Sequence, residues 1–280
     1  MARHNEARLL GYLIDEPGIK YADIEKTKMV RVTIRVRTLR GLRDFGTRDR
    51  RKDYDEHTVI SQNESLMGFM AHLHANDVVD IKGNVITPKI RYSMTCPNCK
   101  ASIIRIDSPS LINPIFMNYV STKDEFAKMD PNNEKSIIEK VERFLRKRTE
   151  ISNNITVIGK CVRAPEEFNE KGLIVNYALE VPRKYRIKED DVDHRRDYLQ
   201  IKCYGKIAEN DYKYIREGSR VFIDGFIMSR NYQEECTCEA CGHKWLRDRS
   251  KNEIVPYSVE YLSECNDGYK EINNELDEGV

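Results

Sequence analysis

Residues Val30–Val36 and Val175–Val181 alternate apolar and polar positions, the period of a half-buried β-strand. Val221–Ile227 is more continuously apolar and predicts a further strand, with Gly225 marking a bend or bulge within it. Ahead of it, Ala208–Glu217 carries apolar residues near helical spacing, and Gly218 reads as the stop. Ser65–Ala75 has the same character earlier in the chain. The pattern therefore predicts three strands, a short helix and two more strands, written twice. That is the plan of a five-stranded oligonucleotide-binding barrel.

Direct comparison of the halves supports a duplication. Arg8–Pro17 matches Thr156–Pro165, with Gly11 on Gly159. Val30–Val36 matches Val175–Val181, and Asp77–Gly83 matches Ser219–Gly225. The offset drifts from 148 to 142 and then holds at 142 for Pro114 with Pro256 and Tyr119 with Tyr261. The expected organisation is a mainly β chain: one barrel over 1–120, a helical linker over 121–152, a second barrel over 153–263 and a mobile acidic tail over 264–280. Within the linker, Ile137, Ile138, Val141, Phe144 and Leu145 form the apolar stripe of an amphipathic helix with a basic last turn, packed on a barrel.

Composition narrows the function. The net charge is only +1, so any contact with nucleic acid must use local patches. The N-terminal residues lack the pattern of a signal peptide, and no apolar run approaches a membrane span. The expected location is the cytoplasm, where the eight cysteines are reduced or hold metal rather than form disulfides.

Two of those pairs stand out. Cys96-Pro97-Asn98-Cys99 and Cys238-Glu239-Ala240-Cys241 repeat at the same offset of 142, each in the hairpin between the fourth and fifth strands. Two such pairs meet the needs of a four-thiolate structural zinc site. Barrels packed about a pseudo-two-fold axis would share one zinc per chain through Cys96, Cys99, Cys238 and Cys241. A site within the second copy from Cys236, Cys238, Cys241 and His243, a site between chains, and free or redox-active thiols stay open. Cys161 and Cys203 fall at inward strand positions, and Cys265 reads as a free thiol.

The second copy resembles the bacterial single-stranded-DNA-binding protein family. The resemblance rests on Asn154–Lys160, Ala164-Pro165-Glu166, Tyr198–Glu209 and the nearly gapless continuation through Tyr214–Gly225. It implies sequence-independent binding of single-stranded DNA in replication, recombination and repair, by a protein that is not an enzyme. The family stacks bases on aromatics at four places, here Tyr185, Tyr198, Tyr204 and Tyr232. Lys184, Arg186, Lys202 and Arg230 are the implied phosphate contacts. Because Tyr198 and Tyr204 are six residues apart, a strand presents both on one face. The family works with four barrels, which implies a homodimer of this two-barrel chain.

The first copy departs from the pattern. His57 stands near the Tyr198 place, and Tyr92 lies in its hairpin but aligns with Glu234. Its loop carries Arg40, Arg43, Phe45, Arg48, Arg50 and Arg51, which suits closure over a phosphate backbone as well as a solvated, partly self-neutralised loop. The tail Glu275–Val280 is acidic but lacks the aromatic end of the family's docking tip, so replication proteins stay open as partners without that motif to recruit them. An enzyme reading finds no P-loop, nucleophile elbow or paired carboxylates. An RNA-binding or scaffold barrel protein with structural zinc is the remaining alternative.

Overall fold

Strand β1 (His4–Leu13) begins the fold by pairing with two partners of its own copy and one of the other. The computed structural model describes residues 4–40, 54–128, 136–148, 152–169, 173–183 and 196–267. The chain continues through β2 (Gly18–Tyr21), β3 (Met29–Leu39), β4 (Tyr54–Ser61), α1 (Glu64–Ala71), β5 (Val78–Ile86), β6 (Ile90–Thr95), β7 (Ser102–Asp107) and β8 (Leu111–Ser121). Two helices follow, α2 (Lys123–Lys128) and α3 (Ile137–Lys147). The second copy is β9 (Asn153–Cys161), β10 (Glu166–Asn169), β11 (Leu173–Pro182), β12 (Arg196–Tyr204), α4 (Gly205–Tyr214), β13 (Arg220–Thr237) and β14 (Lys244–Ser263).

Each copy closes on itself. In the first, β1, β3, β4, β8 and β5 form a ring, with β4 and β8 parallel at Val59 and Ile112. In the second, β9, β11, β12, β14 and β13 do the same, with β12 and β14 parallel at Ile201 and Ile254. Alternation along β4 and β12 puts every second residue inside. Fully buried side chains such as Leu9, Leu13, Ile34, Ile155 and Leu179 each contribute about 1.5–3 kcal/mol by leaving water. α1 is shorter than the apolar pattern predicted, and α4 keeps the predicted length but starts and ends three residues earlier. α1 starts at the Asn63 cap, whose side chain accepts the Leu66 amide. α4 ends at Tyr214, because the Gly218 amide is taken by the Cys161 carbonyl rather than by the helix.

Gly83 and Gly225 both sit at register shifts opposite Pro114 and Pro256. A Cβ at either would lie within 2.5 Å of a neighbouring carbonyl oxygen, so the bulge in each copy requires glycine.

The barrels are joined by antiparallel pairing of β1 with β9, from His4 opposite Ile158 to Leu9 opposite Asn153. The duplication carries Gly11 onto Gly159, an offset of 148. Ala7 faces Ile155, its own equivalent at that offset, so the pseudo-two-fold axis crosses the seam there. Asn5 and Asn153 flank it as equivalent residues. Asn5 accepts from the Val85 amide and donates to its carbonyl, and Asn153 does the same with Ile227.

The segment expected as a linker packs on the first barrel. Val141 and Leu145 of α3 and Phe126 of α2 pack on Leu10, Tyr12 and Val78, and the Phe126 and Phe144 rings meet edge to face at 5.3 Å. No helix among the described residues is long and apolar enough to cross a membrane.

One buried polar cluster distinguishes the second barrel. Asp211 of α4 accepts from Tyr177 (2.9 Å), Tyr261 (2.8 Å) and the Cys203 thiol (2.9 Å). Burial pushes its carboxyl up to about 6, and these donors only partly offset that. The folded state thus binds more protons than the unfolded chain between about pH 4 and 6, and this group's contribution to stability falls as pH rises through that window. Tyr261→Phe removes one donor to the ionised carboxylate. It should cost about 1.5–3 kcal/mol at pH 7 and clearly less at pH 5, read from denaturant midpoints at the two pH values. Equal losses would contradict this account of Asp211.

Candidate nucleic-acid interface and metal centre

Beyond the barrels the chain builds an arm. β13 and β14 run unbroken from the second barrel to the turn at Cys238–Cys241. The first copy's counterpart is interrupted at residues 87–89 and 108–110, where Pro88 and Pro109 have no amide to give a ladder. Its outer part is the separate hairpin β6–β7. The two hairpins lie against each other. Tyr92 is covered by Arg247 and Arg249, 4.8 and 5.7 Å from its ring, and its hydroxyl accepts from Arg249 at 2.8 Å. Arg249 also pairs with Asp107 and reaches Glu234 at 3.7 Å.

At the arm's tip the four thiols meet. Cys96 Sγ lies 3.8 Å from Cys241 Sγ and Cys99 Sγ 3.6 Å from Cys238 Sγ, and all four sulfurs fall within 4.8 Å of one another. Tetrahedral thiolates about 2.3 Å from a zinc ion stand roughly 3.8 Å apart, so the donor set fits. The two turns are equivalent in detail. Lys100 and Gly242 both adopt positive φ, and each donates its amide to the carbonyl of the first cysteine, Cys96 or Cys238. The amides of Ala101 and His243 point at Cys99 and Cys241. The Cys241 thiol is drawn down to about 6 by the His243 amide and then by Cys99. Cys99, held likewise by the Ala101 amide, is pushed up to about 12 by the sulfur of Cys241: once one thiol ionises, the next does so less readily. The alternative site within the second copy is not assembled, since His243 stacks on Trp245 and the sulfurs of Cys96 and Cys99 take its place.

Each hairpin base is clamped to the other barrel. Asp55 of β4 accepts from the Ser229 amide (2.7 Å) and from Arg40 (2.7 Å). Asp197 of β12 accepts from the Thr87 amide (2.7 Å) and from Arg183 (2.5 Å). Residues 55 and 197, and 87 and 229, keep the offset of 142, so the clamps are symmetric.

Between the clamps the outer face of β12 carries Arg196, Tyr198, Gln200, Lys202 and Tyr204, the positions the strand turns away from its core. Its first part, with Tyr232, Lys89, Arg249 and Lys251, lines a cleft of about 450 Å³ between the copies. Its far end, Tyr204, lines a second cleft of about 700 Å³ with Arg230, Arg37, Tyr54 and Glu142. Tyr198 and Tyr204 are 46% and 42% exposed, so both offer ring faces to solvent. Lys202 lies 5.8 Å from the Tyr204 ring and 3.9 Å from Glu253; burial holds its ammonium below the usual lysine range.

The other expected contacts fall elsewhere. His57 is 1% exposed, with Nε2 3.0 Å from Thr38 and 3.3 Å from Asn153. Burial lowers its pKa to about 3, so it is a neutral seam residue without a free ring face. Tyr92 is occupied by the two arginines, and Arg40 by Asp55. Lys184, Tyr185, Arg186, Arg43, Phe45, Arg48, Arg50 and Arg51 lie outside the described residues. Sequence reasoning passed over Arg196, Lys89, Lys251 and Tyr54. Arg196 was readable from the alternation that places it beside Tyr198, but Lys89 and Lys251 become neighbours only through the clamps.

Residues 152–260 match the model of the single-strand binding protein family. Over those residues the chain is similar to that family. A single-stranded DNA-binding protein of Staphylococcus epidermidis is 32% identical over 84 residues, 30% of this chain and 63% of the relative. Single-stranded DNA-binding protein 3 of Listeria innocua is 27% identical over 118 residues, 41% of this chain and 67% of the relative. The crystal structure of the wild-type single-stranded DNA binding protein from Thermus aquaticus aligns with 94% of this chain and 95% of its own, at a TM-score of 0.51 and 12% identity. A deletion mutant of the same protein reaches 0.55. The family match thus falls on the second barrel, and the likeness in fold extends over both.

The clamps make a measurable prediction. The Arg183 and Asp197 side chains are 4% and 1% exposed, so Asp197→Ala leaves a buried guanidinium without its carboxylate and should cost about 3–5 kcal/mol. Glu180→Gln, which breaks the exposed Arg196 pair, should cost under about 1 kcal/mol. Denaturant midpoints compare them, and similar losses would contradict the assignment.

Proposed function

We propose that this chain binds single-stranded DNA without sequence preference, as a binding module in DNA replication, recombination or repair rather than as an enzyme. The observation that carries the reading is the outer face of β12. Exposed Tyr198 and Tyr204 share it with Arg196 and Lys202, and Tyr232 faces its first part across the cleft. Rings stack on any base and cations follow the backbone, which gives affinity without base readout. Tyr198, Tyr204 and Tyr232 hold bases, and Arg230 and Lys202 meet phosphates. The names of the relatives support the same function. They match over less than half of this chain, so the first barrel's part rests on the geometry alone.

Under this reading one structural zinc per chain is shared by Cys96, Cys99, Cys238 and Cys241. It fixes the arm that carries Tyr232, and a reducing cytoplasm keeps its thiols available. Two chains pair to supply the four barrels that the family resemblance implies.

Tyr198→Ala combined with Tyr232→Ala should weaken oligo-dT binding by about 2–6 kcal/mol, measured by fluorescence titration. An unchanged affinity would move the site elsewhere, and a preference for oligo-U over oligo-dT would favour RNA. Elemental analysis should find one zinc per chain, and native mass should find a dimer. Chelation should lower DNA affinity while far-ultraviolet circular dichroism still reports folded barrels. Full affinity after complete zinc loss would contradict the arm's role.

A further inference from the structure

The duplication supplies an internal control: the same barrel face occurs twice, on β12 and on β4, and the two differ in chemistry. Position by position, Arg196, Tyr198, Gln200, Lys202 and Tyr204 correspond to Tyr54, Glu56, Thr58, Ile60 and Gln62. We infer that a DNA strand seats only on the β12 face, that β4 serves as a wall of the clefts rather than a second track, and that Glu56 excludes a strand from it. This rests on the DNA-binding reading above.

Three observations carry it. First, the outer face of β4 holds no cation, and its single charged residue is acidic. A phosphate backbone following it would meet Glu56 where β12 presents Tyr198. Second, the described arginines near it are already paired. Arg35 meets Asp15 at 3.0 Å, Arg37 meets Glu56 at 2.5 Å, and Arg40 meets Asp55 at 2.7 Å. Neutralised cations release few counterions on binding, so they add little to affinity. On the β12 side Arg196 and Lys202 are paired as well, with Glu180 at 2.7 Å and Glu253 at 3.9 Å, so the difference there is Arg230, beside Tyr204, which makes no ion pair with a described residue. Third, the one aromatic of the β4 face is covered. Arg146 of α3 lies 5.4 Å from the Tyr54 ring and donates to its hydroxyl at 3.2 Å, and Glu142 of the same helix lines the cleft in front of it. Among the described residues α3 has no counterpart at the β12 face. Symmetry therefore builds two equivalent faces, and Glu56, the paired arginines and α3 close one of them.

The test is occupancy followed by one conservative change. The full chain is titrated at low salt with an oligo-dT of about eight nucleotides, within the roughly 4–16 nucleotides of a single barrel. One oligonucleotide per chain is the expected end point. Two per chain would overturn the inference while leaving DNA binding intact, whereas no binding at all would remove the underlying reading. Glu56→Gln keeps the shape and frees Arg37. It should raise oligo-dT affinity about three- to tenfold at low salt and steepen the log-log salt dependence by about 0.7, the increment for one more phosphate on a single strand. Unchanged affinity and slope in Glu56→Gln would overturn the role of Glu56.

Discussion

The structure depends on the pairing of β1 with β9. Six residue pairs across the seam, with Ala7 opposite its own equivalent Ile155, fix the two barrels about one axis. Everything that needs both copies follows from that axis. It brings Ser229 to Asp55 and Thr87 to Asp197, so each hairpin base is held by the other barrel. It also lays the hairpins together so that four thiols, 142 residues apart in pairs, converge within 4.8 Å. A slip of one residue in the seam would turn the core residues of β1 outward and pull the cysteine turns apart.

Symmetry in architecture and asymmetry in chemistry are separate here. The elements that set geometry are duplicated closely: the bulge glycines 83 and 225, the seam asparagines 5 and 153, the clamping aspartates 55 and 197, and the positive-φ residues after each cysteine turn. The residues that would touch a ligand are not. Tyr198 faces Glu56 across the axis relation, and the unbroken β13–β14 arm answers a first-copy hairpin interrupted at Pro88 and Pro109. The docking residues are the same in both barrels, whereas the exposed tyrosines of β12 have no equivalents on β4.

Much of this was legible in the chain. Alternation and the repeated landmarks predicted two barrels, and the paired cysteines predicted the cluster, because both signals are local in spacing. The faces of Tyr198 and Tyr204 followed from strand period alone. What could not be read was occupancy. His57 looked like a stand-in for an aromatic, yet the seam buries it against Asn153. Tyr92 and Arg40 looked available, yet each is held by a residue more than a dozen positions away, Arg249 and Asp55. Spacing shows where a side chain points, but its partners come from the packing of the other copy. The linker helix shows the same limit: its apolar stripe was plain, but its place over Tyr54 required the tertiary fold.

The central claim is that a single strand of DNA lies along β12, between its two tyrosines and the arm. The most direct measurement is photocrosslinking of the zinc-loaded chain to halogenated oligo-dT, followed by mass spectrometry of the linked peptides. The account predicts linkage at Tyr198, Tyr204 and Tyr232. Linkage confined to β4, or to the outer face of the β1–β9 seam, would contradict it.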